Sequence, residues 1–174
     1  MKKLLLIAVF FIAYNSNAQV TKNLGDFDNV KVFDKMNVKL IAASENKIVI
    51  SGDRESEVEV VNKNGELKIR MPFPKLLSGN DLEVTLYYKH IELIDANEGA
   101  SVNSNETIKA TSFKVSAQEG AKINVDLNVD KLKVSSVSGG EITATGKADN
   151  LDASLGAGGY FLGSKLATSQ TKVS

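Results

Sequence analysis

The sequence predicts an all-β protein whose main body is a parallel β-helix. This solenoid has coils of about 19–21 residues and follows a less regular, β-rich N-terminal part. Three observations carry the prediction. Apolar and polar residues alternate with a period of two, a ten-residue phrase returns at a fixed interval, and helical periodicity is nearly absent.

Alternation fixes the element type. In AKINVDLNV, residues 121–129, Ala121, Ile123, Val125, Leu127 and Val129 fall on one face and Lys122, Asn124, Asp126 and Asn128 on the other. Such a segment is a strand with one dry and one wet face. DLEVTLYY alternates likewise through Leu82, Val84, Leu86 and Tyr88, and NKIVISGD reads as another strand. EVEVVNKNGELKIRMP reads as a hairpin turning near Asn64-Gly65, a pair suited to the positive φ of tight turns. Pro72 and Pro74 are the only prolines, and they mark MPFPKLLSGN as the clearest loop.

The repeat fixes the architecture. KVSAQEGAKI (114–123), KVSSVSGGEI (133–142) and DASLGAGGYF (152–161) are one phrase written three times at intervals of 19. Gly99, Gly120, Gly139 and Gly158 are spaced 21, 19 and 19, and Val102, Ile123, Ile142 and Phe161 keep those intervals. So do Ile94, Val115, Val134 and Ala153, while Phe113, Leu132 and Leu151 add a row at 19 and 19. Each phrase is read as one coil. Val115, Val134 and Ala153 point inward and stack on one another, and the glycine turns a corner at low steric cost. The apolar residue three places later begins the next inward row. One coil cannot bury its inner face alone, so coils must stack. The period of two excludes a helical repeat; an antiparallel meander is the competing all-β arrangement. KVS at 172–174 opens the phrase again. The natural chain is therefore expected to continue for one or more coils, or a second subunit to cover this end as a homo-oligomer.

MKKLLLIAVFFIAYNSNA, residues 1–18, has a charged start, a short apolar run and a small residue at its end, which is the pattern of a signal peptide. The run from Leu4 to Ala13 falls short of the roughly 20 residues that span a bilayer. Cleavage would leave Gln19 first, and residues 19–174 are read as a single β-solenoid domain. Within it, 19–91 forms irregular coils or a cap and 92–174 the regular coils. Removing Lys2 and Lys3 leaves 19 basic against 21 acidic residues, a net charge of 19 − 21 = −2. That balance speaks against nucleic acid, and no basic amphipathic helix points to membrane insertion after cleavage. The absence of cysteine excludes a disulfide framework and a lipidated thiol. Export without disulfides suits the periplasm or outer surface of a Gram-negative-type bacterium.

The side chains offer little chemistry. His90 is the only histidine, which excludes a histidine-based metal cluster. Glu98 and Glu119 hold equivalent places before corner glycines and would stack roughly 5 Å apart, but Ser138 and Ala157 break the row. Asp126, Asn128 and Asp130 share a wet strand face, as any half-exposed strand allows. Arg54 and Arg70 are the only arginines and are not gathered with acids. GSK at 163–165 and GAGG at 156–159 lack the helix a phosphate loop needs. Tyr160 and Tyr87 are expected to face outward. No residue is assigned a catalytic, cofactor-binding or metal-binding role, and the binding residues stay unassigned.

The signal segment, FDNVKVFDKMNVKLIAASENKIVISGD, VVNKNGELKIR and the glycine-cornered repeats together resemble the putative auto-transporter adhesin head domains, the head GIN domain. The resemblance runs from about Phe27 to Ser174. It implies a right-handed β-helix at the envelope or cell surface and brings no site residues with it. The membrane barrel of a true autotransporter is not found in these 174 residues. Three functions remain open. The first is a non-enzymatic envelope protein binding a polysaccharide or protein. The second is a structural module stacking on itself, and the third an enzyme acting on polysaccharide through paired carboxylates.

Overall fold

Twelve strands and one 3-10 turn (Glu55–Glu57) make up the computed structural model, which describes residues 19–174. The signal segment read at 1–18 lies outside the described residues. The strands are β1 (Gln19–Asn23), β2 (Asn29–Val32), β3 (Asn37–Ala42), β4 (Lys47–Ser51), β5 (Glu59–Lys63) and β6 (Glu66–Arg70). They continue as β7 (Glu83–Tyr88), β8 (Leu93–Ala96), β9 (Ser101–Ala117), β10 (Lys122–Ser136), β11 (Glu141–Leu155) and β12 (Tyr160–Val173). All belong to one hydrogen-bonded sheet that winds into a β-solenoid of about four turns.

β9 to β12 stack in parallel. Lys122 faces Glu141 and Ser136 faces Leu155, an unbroken offset of 19. The sequence rows are register rows: Ile94 faces Val115, Val115 faces Val134, and Val134 faces Ala153. Phe113, Leu132 and Leu151 stack likewise, and Val102, Ile123, Ile142 and Phe161 form the row beyond the corner. Ala121, Ile123, Val125, Leu127 and Val129 are all buried. Then Asp130 and Lys131 are both exposed, so the inward phase slips by one place and resumes at Leu132. This slip turns one strand into the two halves of a coil. The first glycine interval is 21 because β9 carries two extra residues, placed where its register with β10 shifts between Asn124 and Asp126. They form a bulge that docks on the neighbouring strand: Ala42 N–H donates to Glu106 Oε2 at 3.0 Å.

The corners explain the glycines. Glu98-Gly99, Glu119-Gly120, Ser138-Gly139 and Ala157-Gly158 each place two successive residues at positive φ, the requirement of a type I′ turn. The corners also hydrogen-bond to one another. Gly99 N–H donates to Glu119 O at 2.9 Å, Gly120 N–H to Ser138 O at 3.1 Å and Gly139 N–H to Ala157 O at 3.2 Å. In the last two corners the following residue is glycine too. A Cβ at Gly140 would collide with the Ala117 carbonyl, and one at Gly159 with that of Ser136.

The N-terminal part is the same solenoid, threaded out of order. β2 and β3 make one coil that pairs with β8 and β9: Val30 faces Ile94 and Val38 faces Val102, both at an offset of 64. β6 and β7 make the next coil outward, with Leu67 on Val30 and Val84 on Val38. Antiparallel strands close this end, β5 on β6, β4 on β7 and β1 on β4. β5 and β6 form the expected hairpin, with Asn64 and Gly65 at φ 53° and 78°.

The interior tapers the other way. Val125, Leu127, Val129 and Val134 of β10 face Ala144, Gly146, Ala148 and Ala153 of β11. In β12 the inward places opposite Ala148 and Leu151 hold Thr168 and Thr171, whose hydroxyls lie 2.9 Å apart. Phe161 lays its ring over Gly163. The last described inner face thus combines Phe161 and Leu166, packed against the core, with the exposed Thr168 and Thr171.

Candidate functional site

Two broad solvent faces and one corner cleft are the places where a ligand could meet this molecule. The first face carries the outward residues of the first half of each coil. Its polar groups satisfy one another along the solenoid axis. Asn124 donates to Asn103 at 2.9 Å, and Lys122 pairs with Glu141 at 3.1 Å. Asp126 accepts hydroxyls from Thr107 on one side and Thr145 on the other, the latter at 2.7 Å. These two hydroxyls hold its carboxyl below the usual aspartate range. Asp126 therefore stitches three coils together, while Asn128 and Asp130 stay solvated.

The second face carries the outward residues of the other half. Near the N-terminal end its charges are matched: Lys31 with Glu66 at 2.9 Å, Lys68 with Glu66 at 3.1 Å and Arg70 with Glu59 at 2.9 Å. Across β9–β12 they are not. A groove of about 450 Å³ runs over the four strands here, floored by Leu132 and Leu151. Lys133 sits in register between Lys114 and Asp152, and Asp152 faces Lys172. The sequence reading passed over these lysines, although their positions could be read from the repeat itself.

The corner cleft, about 440 Å³, is lined by Lys35, Leu76, Leu77, Glu98, Gly99 and Glu119. Glu98 and Glu119 do occupy consecutive corners, as their spacing predicts. The structure adds Asp34 one corner earlier, because Asp34 and Lys35 take the same pair of positive φ values (62° and 60°). Asp34 is buried and receives the backbone N–H of Met71 at 2.8 Å and of Leu77 at 2.7 Å, which ties the proline loop to the corner. Burial, then the neighbouring Asp34 and Glu119 carboxyls, push Glu98 above the usual glutamate range. Asp34 is thus absorbed into the fold, whereas Glu98 is half-buried and Glu119 exposed at the cleft. Among the described residues, no group of three or more His, Asp or Glu side chains is arranged to hold a metal ion.

The remaining candidates are dispersed. His90 lies exposed, with Nε2 3.1 Å from Glu92 Oε1. Arg54 binds Ser78 through both its hydroxyl and its carbonyl and so braces a loop, while Arg70 pairs with Glu59 directly across the β5–β6 hairpin. Tyr160 is 65% exposed, whereas the outward ring of Tyr87 is covered by the Lys47 ammonium at 4.7 Å. GAGG and GSK form a corner and an edge strand.

Residues 26–174 match the family model described as "Putative auto-transporter adhesin, head GIN domain". No curated protein matches the chain in sequence. Several crystal structures share its fold. A putative adhesin from Bacteroides fragilis aligns over 91% of this chain and 76% of its own, with TM-score 0.83 and 13% identity. A putative adhesin from Parabacteroides merdae aligns over 91% and 78%, with TM-score 0.65 and 16% identity. A putative lipid binding protein from Parabacteroides distasonis aligns over 91% and 78%, with TM-score 0.62 and 13% identity. At these identities the likeness is one of fold.

Proposed function

The chain belongs to the putative auto-transporter adhesin head domain (head GIN) family, and from that premise we propose that it is an exported, non-enzymatic binding protein of the cell envelope. One observation carries the reading: the solenoid presents flat, axially repeating rows of outward side chains. Of the acids near these faces, Asp34 anchors a loop and Asp126 joins coils, while Glu98 and Glu119 line the corner cleft. An extended face suits a partner that is itself long. The signal pattern at residues 1–18 supports export.

Protease shaving of intact cells, beside the same digestion of lysed cells, tests the location. Loss from intact cells places the protein on the surface and supports adhesion. Cleavage only after lysis moves its partners into the periplasm. Recovery from the cytoplasm would overturn the reading.

A further inference from the structure

On the second face the β9–β12 coils break the pattern that governs the first. Lys114 and Lys133 stand directly opposite each other on adjacent strands, about 4.8 Å apart at the backbone. Like charges so placed weaken a sheet. Neither lysine, nor Lys131 or Lys172, forms an ion pair among the described residues, and all four are exposed. This stretch of the face thus carries an excess of cations, with Asp152 its one acid in the Lys114 row, whereas in the adjacent row nearer the N-terminus Lys31 and Lys68 are paired with Glu66 and Asp95.

The shape around this stretch is that of a trough. Lys133 and Lys172 stand on one wall, with Asp152 between them as the single acid lining the groove. The other wall is the row Ser112, Lys131, Asn150 and Gln170, held in register by the same parallel pairing. One wall therefore supplies positive charge on three of its four strands, interrupted by Asp152, and the other supplies hydroxyl and amide groups around Lys131.

We propose that this groove binds an acidic polysaccharide laid along the solenoid axis, its carboxylates or sulfates on the Lys114–Lys133–Lys172 wall and its hydroxyls on the Ser112–Asn150–Gln170 wall. The inference rests on the binding role proposed above and names the surface and the ligand class. A polymer fits better than a single anion because the two walls repeat with each coil. Single-stranded nucleic acid would need aromatic stacking platforms, and no aromatic side chain lines the groove. A membrane surface would need a convex apolar anchor, whereas the floor here is recessed, with Leu132 and Leu151 at 2% and 7% exposure.

The test is equilibrium binding of the purified protein to a polyuronate, a sulfated glycan, a neutral dextran and phosphatidylglycerol vesicles. Binding to one or both acidic polymers, weakening with salt and absent for dextran, is expected. Removing the four charges together (K114Q, K131Q, K133Q, K172Q) should lower affinity at least tenfold. Removing four from elsewhere (K22Q, K39Q, K109Q, K165Q) should change it by less than about twofold. D152N should raise affinity two- to fivefold, a gain that misfolding cannot produce. The proposal is overturned by equal losses in the two lysine sets, by binding only to vesicles, or by no binding to any acidic polymer. Binding to dextran that ignores the lysines would overturn it too, yet leave the envelope-binding reading intact. Shaving results bear only on that broader reading.

Discussion

Between Phe33 and Met36 the chain turns a solenoid corner with Asp34 and Lys35; between Gln118 and Ala121 it turns the equivalent corner with Glu119 and Gly120. Backbone φ is nearly the same in both, but what secures it is not. The later corner relies on glycine, which meets positive φ without a Cβ penalty. The earlier one accepts two side chains at positive φ and uses one of them, the Asp34 carboxylate, to collect the N–H groups of Met71 and Leu77. The coils of β9–β12 are thus built by steric permission and repetition. The N-terminal cap is built by particular side-chain bonds, each used once. A change in the coils should act through backbone collision, and a change in the cap through an unsatisfied donor.

The largest expected effect is at the corners where backbone crowds backbone. Gly140→Ala should cost roughly 3 kcal/mol, because the new methyl meets the Ala117 carbonyl and neither strand can retreat. The reverse change at the equivalent place one coil earlier, Ala121→Gly, should cost only about 1 kcal/mol. Urea denaturation of the pair measures the asymmetry; equal costs would mean that the coils can shift apart. In the cap, Asp34→Asn keeps the size and the tolerance of positive φ but loses one of two acceptor oxygens. A loss of roughly 2 kcal/mol is expected. Hydrogen exchange should quicken at Met71 or Leu77 while the β10 amides stay protected.

Smaller effects separate the two regions by pH. The folded Asp126 carboxyl sits below its usual range because Thr107 and Thr145 donate to it. Its contribution is complete above about pH 3.9 and is lost as pH falls through the lower folded value. Asp126→Asn should cost about 1 kcal/mol at neutral pH and flatten this part of the acid limb. Glu98 has the opposite sign. Its folded value is raised, so any stability linked to it is present below about pH 4.3 and is lost as pH rises through the folded value. Glu98→Gln should therefore stabilise the protein slightly at pH 7, by a few tenths of a kcal/mol, and do nothing in acid. Urea midpoints measured from pH 3 to 8 read both slopes.

The same contrast explains what could be read from the sequence. Val115, Val134 and Ala153 announced their stacking because successive coils are successive in the chain and share one spacing. Val30 and Leu67 stack just as closely, but the β6–β7 coil lies outside the earlier β2–β3 coil and is reached through a hairpin. Adjacency in space there is not adjacency in order. A trace survives in NVKVFDKMNV against LIDANEGASV, which keep the offset of 64 throughout residues 29–38 and 93–102. Without a glycine at Lys35, the strongest corner marker is missing. Asp34 was unreadable for that reason. The lysine groove was missed for another: each lysine looks like an ordinary wet-face residue until the register sets it against its neighbours.

The unbroken 19-residue register between β10 and β11 makes the molecule's length a counted quantity. Excising residues 123–141 would put Lys122 in the place of Glu141, which already faces it, and each remaining inward row would still meet its own kind. Deleting a single residue would turn every later side chain to the wrong side of the sheet. Genes of this construction can shorten or lengthen by whole turns while passing through few non-folding intermediates. Such a protein can change its reach, and the number of sites along its faces, without redesigning any one of them.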